Sequence, residues 1–200
     1  MFVLCTGRTG SSTFIEACRH IDNFSSAHES RSSFYGTARL EYPKRHIEAD
    51  NRLIWFFGDL DKRYGKESFY VHLRRDELKT AKSFSRRWKW NRVSIVQAFY
   101  HAILIRHKKP SEKEISAVSR HYVNTVNSNI EVFLKDKPHK LTVRLENIES
   151  DFRNFWVAIE AEGDYEKAIS CWEKKYNASS EINRFREFVV FIKNLVLPGQ

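Results

Sequence analysis

The run Phe2-Val3-Leu4-Cys5 is apolar without alternation, breaks at Thr6-Gly7-Arg8-Thr9-Gly10, and resumes as Ser11-Ser12-Thr13-Phe14-Ile15 with helical spacing. A strand with no polar side is buried on both faces, so these residues already demand layers above and below a sheet. Gly7 and Gly10 permit a sharp reversal and close backbone approach. A helix starting directly after them exposes N–H groups that have no partner in their own turn, and Ser11, Ser12 and Thr13 add hydroxyls at the same place. Strand, glycine loop and helix start together predict a cradle for an anion of phosphate character.

The cradle departs from the G-x-x-x-x-G-K-[ST] loop of nucleotide triphosphatases, because Ser11 follows Gly10 and the nearest cation is Arg8, inside the loop. The chain has 200 residues, 42% of them hydrophobic, which is enough for a real core and, by size, for one domain spanning 1–200. Its 34 Lys and Arg against 25 Asp and Glu leave a charge of +9, which favours an anionic ligand, a polyanion or a membrane surface without choosing among them. Cys5, Cys18 and Cys171 are odd in number and lack metal-type spacing, so no metal site, no disulfide framework and a reducing compartment are expected. No charged and apolar leader opens the chain, and runs such as 188–192 are far shorter than the roughly 20 residues that span a bilayer. A soluble, cytoplasmic protein is the expectation.

Apolar periodicity predicts a helix over 12–21, a strand over 24–28, a short edge strand over 46–50, a helix over 51–60 and a strand over 69–74, with Asp76 as the next N-cap. Helices over 76–87, 93–106 and 111–134 fill the middle, and Ser111 caps the last of them. A strand over 141–145 and helices over 148–161, 164–172 and 182–195 complete the pattern. Strands alternating with helices imply an α/β fold, a P-loop-like three-layer sandwich whose central, mainly parallel sheet is flanked by helices. Ligands of such sheets sit beyond the carboxyl ends of the strands, which puts the Arg8 loop, His28, Glu29, Asp50 and Arg75 on one rim.

Two segments together resemble the sulfotransferases that use 3′-phosphoadenosine 5′-phosphosulfate. The first, Gly7-Arg8-Thr9-Gly10-Ser11-Ser12, is similar to that family's 5′-phosphosulfate loop, with Arg8 at its Lys/Arg position. The second, Tyr70-Val71-His72-Leu73-Arg74-Arg75-Asp76 running to Ser83, is similar to its 3′-phosphate motif, a strand ending in Arg and a Ser on the next helix. The geometry of this motif also stands alone: Arg75 leaving a strand and Ser83 about two turns along a helix converge on one anion, and Arg87 lies one turn further on the same face. The likeness is nearest to tyrosylprotein-type and bacterial members. It implies that Ala27-His28-Glu29-Ser30-Arg31 holds the catalytic base, Glu29, and an orienting or acceptor-binding arginine, Arg31. Val143-Arg144-Leu145-Glu146-Asn147 is similar to a strand and acidic turn of the fold. Lys174-Lys175-Tyr176-Asn177 is similar to a basic loop that closes on the nucleotide, implying donor contacts for Lys174 and Asn177. Where many relatives carry Lys in the third strand, this chain has Glu48-Ala49-Asp50-Asn51-Arg52, so either Arg52 supplies the charge or the acceptor side works differently.

The resemblance implies sulfuryl transfer to an acceptor hydroxyl on a small molecule or glycan, with no metal, no nucleic acid, and the helical segment of about 88–138 on the acceptor side. Such transfer needs in-line positioning and charge stabilisation, assigned to Arg8 with Thr9, Gly10, Ser11, Ser12 and Thr13, and a base. Glu29 is the first candidate; His28, Asp50 and Glu48 are alternatives, and Asp50 and Arg52 are also acceptor-side candidates. Strand alternation aims His28 and Glu29 at opposite faces, so the two are not expected to act alike. Trp55-Phe56-Phe57 reads as core, and 85–92 reads first as a helix end with buried indoles and exposed cations, the alternative being a stacking and charged surface that lines an acceptor groove or binds a polyanion. The acceptor patterns for glycosylation at Asn23 and Asn177 carry no weight without a secretory leader. The rival readings are a P-loop kinase for a small molecule and a non-catalytic polyanion-binding protein of the same fold.

Overall fold

The structure, a computed structural model, describes residues 1–88 and 94–173. In chain order the elements are β1 (Phe2–Leu4), α1 (Ser11–Cys18), β2 (Ser25–His28), β3 (His46–Ala49), α2 (Phe57–Tyr64), β4 (Tyr70–Arg74), α3 (Glu77–Arg87), α4 (Ile95–Ala98), α5 (Glu112–Leu134), β5 (Lys140–Arg144), α6 (Ile148–Ala158) and α7 (Tyr165–Ser170). The five strands pair only in parallel, in the order β2-β3-β1-β4-β5. After β1 the chain winds toward β2 and β3, and after β4 it winds the other way to β5. The crevice between the ends of β1 and β4 is therefore the topological switch point.

Alternation along the strands feeds two cores. Phe2, Leu4 and Tyr70 enter the core under α2, α3 and α5, where Phe84, Tyr122, Val126 and Ile130 pack. Val3, Cys5, Val71, Leu73 and Val143 enter the other with Phe14, Ile15, Phe152 and Phe155 of α1 and α6. Three layers result because β1 and β4 carry apolar side chains on both faces.

Several local expectations are revised. The strand at 46–50 is not an edge: β3 lies between β2 and β1, because β2 is the strand laid outermost. Residues 51–60 form a 3-10 turn, Leu53–Phe56, before α2 begins at Phe57. Of the helix expected over 93–106, the described part is α4 followed by a π-helical turn, Phe99–Ile103, and it ends where Ile105 takes a positive φ of 52°. Trp55 is exposed rather than core, while Phe56 lies under the Arg39 guanidinium and Phe57 stacks on Phe133 with centroids 4.2 Å apart. Trp88 is buried as expected. The helix expected over 182–195, the Asn177 glycosylation pattern and residues 89–92 lie outside the described residues.

Candidate anion-binding and transfer site

The loop after β1 turns through three left-handed residues, Gly7 (φ 80°), Arg8 (φ 62°) and Gly10 (φ 88°). A Cβ on Gly7 would stand 2.5 Å from the Asn51 side-chain nitrogen, and one on Gly10 would meet Trp172 at 3.3 Å and Leu145 at 3.4 Å, so the cradle is packed from outside. Tyr122 of α5, fully buried, donates its hydroxyl to the Thr6 carbonyl at 3.0 Å and ties the base of the loop to the helical layer. Helix α1 takes Gly10 as N-cap, and its first bond runs from Phe14 N–H to the Gly10 carbonyl at 2.8 Å. A glycine cap has no side chain to satisfy the first turn, so the N–H groups of Ser11, Ser12 and Thr13 remain for a ligand. Ser11 and Thr13 are buried and Ser12 is exposed; the Ser11 hydroxyl is hydrogen-bonded to His28 Nε2 at 2.9 Å.

The second segment meets this loop. Arg8 Nε donates to Ser83 Oγ at 3.3 Å, and Arg75 Nη1 donates to the Arg8 carbonyl at 3.3 Å, across 75 and 67 residues of sequence. Arg75 has no carboxylate partner among the described residues, whereas its neighbour Arg74 is paired with Glu77 at 3.0 Å and Glu131 at 2.6 Å. Arg75 also lines an open crevice of about 520 Å³ together with Arg144 and Glu146. Asp76 caps α3 through Lys79 N–H at 2.8 Å and donates its own N–H to Glu146 at 2.9 Å, which fixes where Arg75 leaves the sheet. Arg87, half-buried, ends α3 one turn beyond Ser83.

Across the rim, Glu29 follows β2 with a positive φ of 52°. Its Oε2 accepts from Arg52 Nη1 at 2.7 Å, and Oε1 has no partner among the described residues. His28 turns instead to Ser11. Asp50 is buried, paired with the equally buried Arg39, and accepts the Arg52 N–H at 2.8 Å. Glu48, also buried, accepts from Ser30 N–H at 2.8 Å, Ser30 Oγ at 2.6 Å and His46 Nε2 at 3.1 Å. Both carboxylates are thus occupied. Arg31, an expected orienting residue, donates to the Ala38 carbonyl at 2.8 Å and lies over Phe34; the guanidinium on Glu29 is that of Arg52.

Sequence reasoning did not single out Arg39, Asn51 or Tyr122, whose roles come from contacts between distant segments, nor Arg144 and Glu146 as crevice residues. For Arg144 a signal existed: it ends a strand on the same rim as Arg75. Lys174 and Asn177 lie outside the described residues. Among the described residues no group of His, Cys, Asp and Glu could hold a metal ion, and no helix is long and apolar enough to cross a membrane. No protein-family model and no curated protein matches the chain.

Proposed function

We propose that the protein is a sulfotransferase that takes 3′-phosphoadenosine 5′-phosphosulfate as donor and a hydroxyl of a small-molecule or glycan acceptor. The observation that supports this reading is the junction of the two anion-binding segments, Arg8 on Ser83 and Arg75 on the Arg8 carbonyl. The donor set suits a ligand with two separated anionic ends: uncapped N–H groups and Arg8 at one, Arg75, Ser83 and Arg87 at the other, beside a crevice wide enough for a nucleoside.

Once bound, the donor supplies an activated sulfuryl group with a phosphate as its leaving group. The first turn of α1 and Arg8 hold the phosphosulfate end and neutralise the charge that grows on the leaving oxygen as its bond to sulfur breaks. Arg75 and Ser83 hold the 3′-phosphate and so fix the line of attack. Glu29, with Oε2 anchored by Arg52, takes the acceptor proton on Oε1 while the acceptor oxygen bonds to sulfur. His28 keeps the Ser11 hydroxyl, and with it the first turn of α1, in register.

Titration calorimetry with adenosine 3′,5′-bisphosphate tests the reading. Binding that weakens by about tenfold or more in Arg75→Ala and Ser83→Ala is expected, from loss of charge-assisted hydrogen bonds. No binding, or binding indifferent to both changes, overturns it. Glu29→Gln should lower kcat by roughly 100-fold with bisphosphate affinity unchanged. Magnesium-dependent ATP binding would indicate the kinase instead, and salt-steep heparin binding without sulfate transfer the polyanion binder.

A further inference from the structure

Glu29 is a non-glycine residue at a left-handed φ of 52°, a conformation that is disfavoured for L side chains and persists only where its surroundings over-determine it. The surroundings here are two buried carboxylates of one strand end. We propose that Glu48 and Asp50 are positioning residues that hold the Glu29 carboxylate from two sides and do not themselves take the acceptor proton. The inference rests on Glu29 being the base of the proposed transfer.

Glu48 acts on the backbone. Glu29 N–H donates to the Ala49 carbonyl at 2.9 Å and Ser32 N–H to the Glu29 carbonyl at 3.2 Å, which closes the turn. Between them, both oxygens of Glu48 receive Ser30, one its N–H at 2.8 Å and the other its hydroxyl at 2.6 Å. Glu48 is held in turn by His46 Nε2 at 3.1 Å, and His46 Nδ1 by the Ser25 hydroxyl at 2.8 Å. This chain of bonds leaves Glu48 no open oxygen for a substrate.

Asp50 acts on the side chain. One of its oxygens pairs with Arg39, which also donates to the Tyr42 hydroxyl at 3.0 Å; the other accepts the Arg52 N–H at 2.8 Å. Arg52 is thereby fixed at its backbone while its Nη1 reaches Glu29 Oε2 at 2.7 Å. An apolar pair in place of Arg39 and Asp50 would serve stability as well, because the desolvation of two buried charges offsets most of their attraction. What the ionic pair adds is a fixed direction for Arg52.

The test uses the isosteric variants Glu48→Gln and Asp50→Asn in the full chain. Each should lower kcat by about tenfold to a hundredfold, keep bisphosphate affinity within about twofold, and cost nothing further in a Glu29→Gln background. A separate readout is the Arg52 Nε–H resonance in NMR spectra, resolved in the unmodified protein and merged with the exposed arginines in Asp50→Asn. If either variant fails to fold, Ser30→Ala and Arg39→Lys loosen the same holds while leaving each carboxylate a partner. Losses that add to that of Glu29→Gln, or an unchanged kcat with an unchanged Arg52 signal, overturn the proposal. A protein that transfers no sulfate overturns the functional reading alone, and the Arg52 signal then decides the clamp.

Discussion

At the scale of the residue, the cradle depends on a position where any side chain is wrong for two reasons. Gly7 has φ 80°, and a methyl there would stand 2.5 Å from the Asn51 side chain. Gly7→Ala should therefore destabilise the protein by about 1–2 kcal/mol from backbone strain alone and weaken bisphosphate binding as the loop shifts. A thermal melt and a titration on the same sample check both; an unchanged melt and unchanged affinity would mean that the loop needs neither its turn nor its contact with Asn51. Arg8 adopts its left-handed φ of 62° without glycine's freedom, and its carbonyl is held by Arg75. None of this is legible locally: the glycines announce a turn, but that Asn51 and Arg75 close on it depends on segments far along the chain.

At the scale of the element, the helices differ in what closes their first turn. Helix α5 opens with a capping box in which the Ser111 hydroxyl accepts from Glu114 N–H at 3.3 Å while Glu114 accepts from Ser111 N–H at 2.9 Å. Ser111→Ala should cost about 1 kcal/mol in denaturant unfolding and leave bisphosphate affinity unchanged, because the α5 residues that reach the loop and its surroundings, Tyr122, Asn127 and Glu131, lie about three or more turns beyond the cap. A change in bisphosphate affinity would show that the start of α5 is coupled to the loop. Helix α1, capped by Gly10, keeps its first turn open where α3, α4, α5 and α7 are closed by Asp or Ser. Caps of this kind are written in a few adjacent residues, so Asp76 and Ser111 were legible from sequence. The 3-10 turn at Leu53–Phe56 and the π-helical turn at Phe99–Ile103 were not, because apolar spacing resembles that of an α-helix in both.

At the scale of the whole molecule, the two cores enclose a neutral histidine at the heart of the sheet. His72 of β4 is 3% exposed, and burial, with Arg74 and Arg144 nearby, pushes its pKa down to about 4, against the hydrogen bond to Asn127 at 3.3 Å that favours the charged form. Between about 4 and the ordinary 6.5 the unfolded chain binds a proton at this residue and the folded chain does not. Stability thus rises with pH across this window, and the contribution lost on acidification is on the order of 3 kcal/mol. Denaturant unfolding at pH 7 and pH 4.5 should show the loss, and His72→Gln should remove that part of the slope; an equal slope in the variant would rule the residue out. Parallel layering, the buried β1 and β4, the open start of α1 and the rim bearing Arg8, Glu29 and Arg75 were determined by the sequence alone, because unbroken apolar runs, glycines and caps act within a few residues of one another. The tertiary structure alone decided that Arg8 meets Ser83, that Arg52 rather than Arg31 reaches Glu29, and that Asp50 is spent on Arg39. Those outcomes depend on which side chains the sheet order brings within hydrogen-bonding reach, and short-range pattern carries no record of that order.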